Sequence, residues 1–416
     1  MNILIFSTAY LPFVGGAELA IKEITDRIPN VSFTLITARF RRGLPRFEKI
    51  GNAEVYRVGP GTVLDKWLLP CLGYAKAWRL EKEKEFDVIW SMMASQGSVA
   101  AAFFKRAFPQ KKLVLTLQEG DEEAHLKRYV FGSELLYRLL VRPWHLLVFK
   151  RADTITAISN YLAERAKQNA PNAPVAVIPN GVDIAKFQIT NSKSQTNPNL
   201  SKKEIRKKLG IQKEDKVVIT TSRLVEKNGI GDLVEAMPHL PENVKLLILG
   251  TGPLEKSYKL KAKSYKLEGR IRFFGHIAHE QLPQYLHGAD IFCRPSHSEG
   301  MGSSFIEAMA AGLPVVATPV GGIPDFLIAP LSDSEAEGHL FSNSHELENR
   351  WRETITGLFC EVENPNSIAE KVKLLLSNDE LRHRIVENAS KMVWEKYEWG
   401  LIAGQMKKVL LSHEAA

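Results

Sequence analysis

Short apolar runs alternate with stretches of helical periodicity along most of the chain. In the first half the runs are NILIFSTA (2–9), VSFTLIT (31–37), FDVIW (86–90), KLVLTL (112–117), DTITAIS (153–159) and PVAVIPN (174–180). That is the rhythm of βαβ units around a parallel sheet. After Phe187 the chain turns polar, and NSKSQTNPNLSKKE (191–204) has no periodicity, so it reads as a linker. A second series then begins: KVVITTS (216–222), VKLLILG (244–250), IRFFG (271–275), DIFCRPS (290–296) and LPVVAT (313–318), followed by helical segments to the C-terminus. The pattern predicts an α/β chain of two doubly wound, Rossmann-like domains over 1–190 and 191–390, with a last helical segment, 391–416, packing back toward the first. Ligands of such sheets bind at the carboxyl ends of the strands. Two such domains facing each other across a cleft would bring two sets of loops together, as a two-substrate transferase needs. Residues 328–356, rich in Ser, Glu and Asn, interrupt the second series before a strand-like Gly357-Leu358-Phe359-Cys360 and read as a surface insertion.

Composition narrows the class. With 416 residues, 44% hydrophobic and 25% charged, the chain has ordinary globular values, which argue against disorder or a membrane-embedded protein. Val88–Phe104, as long as any uncharged stretch of the chain, contains Ser91, Ser95, Gln96, Gly97 and Ser98 and falls short of the roughly 20 apolar residues a spanning helix needs. Cys71, Cys293 and Cys360 lie far apart, so neither a zinc cluster nor a disulfide framework is expected, and a reducing, cytoplasmic compartment fits. The first twenty residues lack the basic start and small-residue cleavage pattern of a signal peptide.

The formal charge of +8 is one-sided: 26 Lys and Arg stand against 18 Asp and Glu up to residue 190, and 29 against 29 after it. An anionic partner for the first half is expected: a membrane surface, a phosphorylated acceptor or nucleic acid. The segment His125–Arg151 mixes Lys and Arg with Tyr, Trp, Leu and Phe. Two readings stay open there. It is an amphipathic helix lying on the inner face of the membrane, or an ordinary helix burying Leu135, Leu136, Leu139 and Leu140 against the sheet. No nucleic-acid recognition motif accompanies the charge, so nucleic acid is not expected as a partner.

The strongest chemical signal is SEGMGSSFIEAMAAGLPVVATPVGG (298–322). A glycine-serine loop opening a helix offers unpaired backbone N–H groups and a positive dipole end, which suit a diphosphate or sugar hydroxyls. Glu299, in the loop, can accept hydrogen bonds from a sugar. Glu307, in the helix, can accept both hydroxyls of a ribose, as acidic residues do in dinucleotide folds. His276, His279, His297 and His125 lack metal spacing, and His279 and His297 are expected at the surface.

Glu299 and Glu307 with their glycine-serine spacer resemble the E-x7-E signature of glycosyltransferase family 4, a retaining family of GT-B fold, and AAGLPVVATPVGGIPD continues the likeness. Further segments resemble the same family in order: Gly15-Gly16-Ala17-Glu18 after the first strand, VIPNGVD (177–183), SRLVEKNGI (222–230), LGTGP (249–253) and FFGHI (273–277). The resemblance spans nearly the whole chain. It implies an enzyme that moves a hexose from a UDP- or GDP-sugar to an acceptor hydroxyl with retention, in polysaccharide or glycolipid synthesis, the acceptor being a carbohydrate or lipid-linked.

The resemblance also implies roles. Arg223 and Lys227 bind the donor diphosphate, Gly16 beside Gly15 adds a backbone N–H, and fixed donors of this kind stabilise the charge of the departing diphosphate. Glu299 positions the donor sugar, Gly300, Met301, Gly302, Ser303 and Ser304 line the site, Glu307 holds the ribose, and the Gly275-His276 turn lies near the base. Two positions depart from the family. Gln118 stands where a histidine is usual; an amide can hydrogen-bond a sugar hydroxyl but cannot transfer a proton as an acid or base. Asn228 stands where a lysine is common, the cation being one residue earlier. No D-x-D triplet occurs, so no metal and no cofactor is expected, the nucleotide sugar being a co-substrate. The departures keep two alternatives open: a sugar-nucleotide-binding protein impaired in catalysis, and a GT-B nucleotide-sugar epimerase.

Overall fold

The computed structural model describes residues 1–118, 127–130, 132–188, 202–328 and 354–412. The 191–201 part of the polar tract, most of the 328–356 segment and His125 lie outside the described residues. The chain forms two compact units, Met1–Gly181 together with Trp399–Ala416, and Val182–Glu398. The units divide at 181/182 and at 398/399, so residues 182–188 and 391–398 fold with the second unit.

The first unit is built on an eight-stranded sheet in the order β3-β4-β2-β1-β5-β6-β7-β8, where β1 is Asn2–Phe6, β2 Ser32–Ala38, β3 Phe47–Ile50, β4 Ala53–Val58, β5 Val88–Met92, β6 Lys112–Leu117, β7 Thr154–Ala157 and β8 Val175–Val177. All neighbours are parallel except the β3–β4 pair. The six apolar runs are β1, β2, β5, β6, β7 and β8. In β1 the residues Ile3, Leu4, Ile5 and Phe6 are all buried, because helices cover both faces of a parallel sheet. The β3–β4 hairpin was not anticipated: FEKI and AEVYRV are short, alternating and partly polar, as an edge needs, and lack an unbroken apolar run.

Helix Trp399–Leu411 buries Trp399, Ile402, Ala403, Met406 and Leu410 in the same core as β1 and the helix Gly16–Arg27. Their three- and four-residue spacing places them on one stripe. Lys112 Nζ adds a tie, donating to the Val409 carbonyl and the Ser412 hydroxyl, both at 2.8 Å.

The second unit holds a six-stranded parallel sheet in the order β11-β10-β9-β12-β13-β14, with β9 Lys216–Thr221, β10 Val244–Leu249, β11 Ile271–Gly275, β12 Ile291–Arg294, β13 Val315–Ala317 and β14 Leu358–Phe359. Counted from its own first strand this is the 3-2-1-4-5-6 order of the Rossmann fold. The order reverses between β9 and β12, so the loops leaving those strands diverge and open a crevice at their carboxyl ends.

No single straight helix runs through 127–151. The described chain forms short helical pieces at Lys127–Val130 and Glu134–Leu136, a π-type turn at Tyr137–Val141 and the helix Arg142–Arg151. Leu135, Leu136 and Leu139 are 68%, 41% and 63% exposed, which overturns the reading that buries them against the sheet. The spacing that predicted one buried stripe does not hold across the broken helix; Tyr137, His145, Val148 and Phe149 are buried instead. The side chain of Leu140 lies outside the described residues. Among the described residues no helix is long and apolar enough to cross a membrane.

Candidate functional site

The loops after β9 and β12 are joined at the backbone. Leaving β9, Ser222-Arg223-Leu224 leads into a turn in which buried Asn228 donates from Nδ2 to the Ser222 hydroxyl at 2.8 Å and to the Arg223 carbonyl at 2.7 Å. The residue that departs from the family is therefore the clasp of the Arg223–Lys227 loop. Gly229 follows at φ +65°, where a Cβ would lie 1.8 Å from the Pro295 carbonyl oxygen, so only glycine lets the two loops meet. His297 N then donates to the Lys227 carbonyl at 2.8 Å. Arg223 is exposed, and its guanidinium has no hydrogen bond or ion pair to any described residue; Lys227 is half-buried. From β10, Gly250 N donates to the Gly275 carbonyl at 2.7 Å, which brings the Gly275-His276 turn beside the same loops.

Beneath this surface lies a residue that sequence reasoning missed. Arg294, the last residue of β12, is 6% exposed and spends its N–H groups on the loop above it. Nη2 pairs with Glu299 Oε2, Nη1 donates to the Ser304 hydroxyl at 2.8 Å and Nε to the Ser296 hydroxyl at 3.2 Å. Nη1 also reaches the Thr221 carbonyl at 3.4 Å, and the guanidinium lies 4.3 Å from the centre of the Phe305 ring. Burial lowers the guanidinium's pKa from its ordinary value, while the nearby Glu299 and Glu307 carboxylates oppose that shift. Gly302, at φ +88°, opens the helix Ser303–Ala310, and a Cβ there would stand 2.5 Å from the Phe305 ring and 2.8 Å from Arg294 Nη2.

The two glutamates are held separately. Glu299 Oε1 accepts from Gly300 N at 3.1 Å while Oε2 meets Arg294. Glu307, in the second turn of the helix, meets His279: Nε2 lies 2.8 Å from Glu307 Oε1, and Nδ1 lies 2.7 Å from Lys186 Nζ. An ammonium can only donate, so Nδ1 accepts and the ring proton sits on Nε2, donating to Glu307. His279 and His297, expected at the surface, are half-buried and partnered, His297 Nε2 sitting 2.6 Å from Asp232 Oδ2. The Met301 side chain is 1% exposed and packs inward, so that residue can offer the site only its backbone. Ser303 and Ser304 stand in the first helical turn, where backbone N–H groups lack intrahelical partners.

In the first unit, Gly15 caps the helix Gly16–Arg27 after β1, and both glycines are exposed. Buried Arg57 braces the loop that leads to them, donating to the Leu11 carbonyl at 2.5 Å and the Pro45 carbonyl at 3.3 Å. Gln118, at the end of β6, forms a reciprocal amide pair with Asn180, each Nε2 or Nδ2 donating to the other's oxygen at 2.8 Å. The pair fixes the Gln118 amide and leaves it one N–H for a further acceptor.

The second unit thus gathers Arg223, Lys227, Gly275, His276, Glu299, Gly300, Gly302, Ser303, Ser304 and Glu307 at one end of its sheet and adds Arg294, His279 and Lys186, while Gly15, Gly16 and Gln118 sit at strand ends of the first. The spacing of the added residues from their partners gave no local signal, Arg294 excepted: a charge closing an apolar strand calls for a partner. Among the described residues no group of three or more His, Cys, Asp and Glu could hold a metal ion.

Comparison with known proteins agrees with this arrangement. Residues 201–332 match the family model Glycosyl transferases group 1, and 14–186 match Glycosyltransferase Family 4. An uncharacterised glycosyltransferase of Methanocaldococcus jannaschii is 30% identical over 422 residues, covering 98% of this chain and 97% of that one. The alpha-monoglucosyldiacylglycerol synthase of Streptococcus pneumoniae is 25% identical over 414 residues, 99% of this chain and 88% of that one. Among solved structures, sucrose-phosphate synthase from Thermosynechococcus elongatus superposes with a TM-score of 0.75 at 19% identity over 98% of both chains. With a relative at this identity along its whole length and both of its units matched, the chain belongs to glycosyltransferase family 4, and its two parallel-sheet units are those of the GT-B fold.

Proposed function

We propose that the chain transfers a hexose from a UDP- or GDP-sugar to an acceptor hydroxyl with retention of anomeric configuration, in the synthesis of a surface polysaccharide or glycolipid. The observation that carries the reading is the strand-end crevice of the second unit, where an exposed Arg223, with no side-chain partner among the described residues, stands on the loop bonded to the one bearing Glu299, and Glu307 is held by its own partner. The leaving diphosphate gains negative charge as the glycosidic bond breaks. On this reading Arg223, Lys227 and the first-turn amides at Ser303 and Ser304 meet that charge without reorganising, which is the form of catalysis fixed dipoles and cations supply best. They do so without a metal. Glu299 orients the sugar and Glu307 takes the ribose hydroxyls. Retention follows when the acceptor attacks on the leaving-group face and the departing phosphate takes its proton.

A lipid-linked acceptor is supported by the name of the pneumococcal relative and by the surface of the first unit. Leu64, which caps the helix Asp65–Lys84, and Leu68 and Leu72 within it are exposed at four-residue spacing, with Trp67 exposed beside Leu68, and Leu135, Leu136, Leu139 and Trp144 are exposed beside Arg138 and Arg142. Cations interleaved with aromatic and aliphatic side chains suit an anionic bilayer surface. Thermal shift with UDP-glucose, UDP-N-acetylglucosamine, GDP-mannose and their parent diphosphates tests donor binding; a ligand at 100 times its Kd adds about 2.7 kcal/mol. Product anomer analysis by NMR then tests retention. Binding without transfer and without slow donor hydrolysis would return the reading to a non-catalytic binding protein.

A further inference from the structure

We propose that Arg294 is a positioning residue of the transfer reaction, acting through Glu299; the inference rests on the donor reading given above. A buried guanidinium in the last position of a core strand has two possible employments, bracing the fold or shaping the site. Its partners decide between them. Of its acceptors, Ser296, Glu299 and Ser304 all lie on the segment that rises over the crevice, and only the long contact to Thr221 goes to a neighbouring strand. None lies in the apolar core below, where Cys293, the preceding residue, is buried. The planar fork therefore measures out the loop: Nε sets its start, Nη2 its middle and Nη1 the first helical turn, while the Phe305 ring 4.3 Å away limits tilting of the guanidinium.

Glu299 is the consequence. One carboxylate oxygen is taken by Arg294 and the other by the Gly300 N–H, so the plane of the carboxylate is fixed and only the remaining lone pairs face a sugar. Rotation of the carboxylate about its last torsion would sacrifice both contacts. A lysine at 294 would keep the charge but, being a single ammonium on a flexible stem, could not serve three acceptors at once in one plane. Glu299 would then stay paired yet lose its fixed direction.

The experiment is a mutant cycle of Arg294→Lys and Glu299→Ala, singly and together, read by titration calorimetry with UDP and by acceptor-independent hydrolysis of UDP-glucose, with GDP and GDP-mannose as the parallel pair. For Arg294→Lys the UDP or GDP affinity stays within about threefold, because on the donor reading the diphosphate meets Arg223 and Lys227 and Glu299 meets the sugar, while kcat falls about 100-fold, the lower end of the loss of one oriented group. In the Glu299→Ala background the lysine causes no further fall. Independent, multiplying losses, or a loss of nucleotide affinity parallel to kcat, would show a merely structural role and overturn the inference. Should Arg294→Lys fail to fold, Ser304→Ala enters the same cycle, since it removes one acceptor and leaves the ion pair intact; its fall in kcat must likewise vanish without Glu299. A wild-type protein inert toward both nucleotide pairs takes down the donor reading and this inference together. An active wild type with an unaffected Arg294→Lys takes down this inference alone.

Discussion

Arg223→Ala separates chemistry from stability more cleanly than any other substitution in the site. The guanidinium is exposed and bonds to no described residue, so its removal strands no buried partner and should change stability by no more than about 0.5 kcal/mol, the usual range for surface substitutions. In a unit of roughly 200 residues that is at most about 2 °C in Tm. The catalytic consequence is of another order. A unit charge about 4 Å from a second one is worth about 4 kcal/mol at an effective dielectric constant near 20. Loss of one preorganised charge-stabilising donor typically lowers kcat by about 10²- to 10³-fold. The backbone that carries Arg223 is held independently, by Asn228 on its carbonyl and by the Lys227–His297 bond, so the alanine variant keeps the loop in place. Steady-state kinetics with the sugar nucleotide identified by thermal shift, beside a melting curve of each variant, measure both quantities. Arg223→Lys should fall between, keeping charge but losing the two-pronged geometry. A kcat within threefold of wild type would refute the assignment of the leaving-group charge to this side chain. A melting point lowered by many degrees would refute the claim that the residue is idle in the fold.

His279→Ala removes the donor that orients Glu307 and should weaken nucleotide binding about three- to tenfold, the worth of one hydrogen bond, with kcat little changed; calorimetry with UDP or GDP checks it. Lys186→Met, which frees His279 to take the other tautomer, should show a smaller shift in the same direction. His287 supplies a pH signature, for burial, with the Lys202 ammonium adding, pulls its imidazole from 6.5 down to about 4. The unfolded chain binds this proton near 6.5 and the folded chain only near 4, so the stability associated with the neutral ring is complete above pH 6.5 and is lost as pH falls toward 4. The change is at most about 3 kcal/mol, and His287→Gln should flatten it in denaturant titrations at pH 7.5 and 4.5. Flotation with liposomes containing phosphatidylglycerol should retain the protein at low salt and release it at high salt. Replacement of Lys127, Arg128, Arg138 and Arg142 by Gln should abolish retention, and salt-independent behaviour of the wild type would end the membrane reading.

What could be read from the sequence, and what could not, follows from how far each constraint reaches along the chain. A strand covered on both faces must be apolar throughout, so the runs that became the interior strands announce themselves within five or six residues. The β3–β4 edge hairpin obeys the opposite demand, polarity against water, and its only local marks are the alternation and the two-residue Gly51-Asn52 turn between Ile50 and Ala53. The site divides in the same way. Gly302, Glu299 and Glu307 are set by one loop and one helix, and their spacing survives as a motif. Their supports come from elsewhere: His279 lies 28 positions from Glu307, Lys186 a further 93 from His279, and Asn180 lies 62 from Gln118. Only the folding of separate strand ends onto one edge brings these pairs together, and no pattern in a window of residues encodes them. Arg294 is the instructive exception, because its evidence was local: a charge ending the apolar strand Ile291–Arg294 cannot stay buried without a counter-charge, and the nearest carboxylate downstream is Glu299, five residues on. A buried charge in a strand that otherwise reads as core is thus itself a pointer, directing attention to the loop that must bend back to neutralise it.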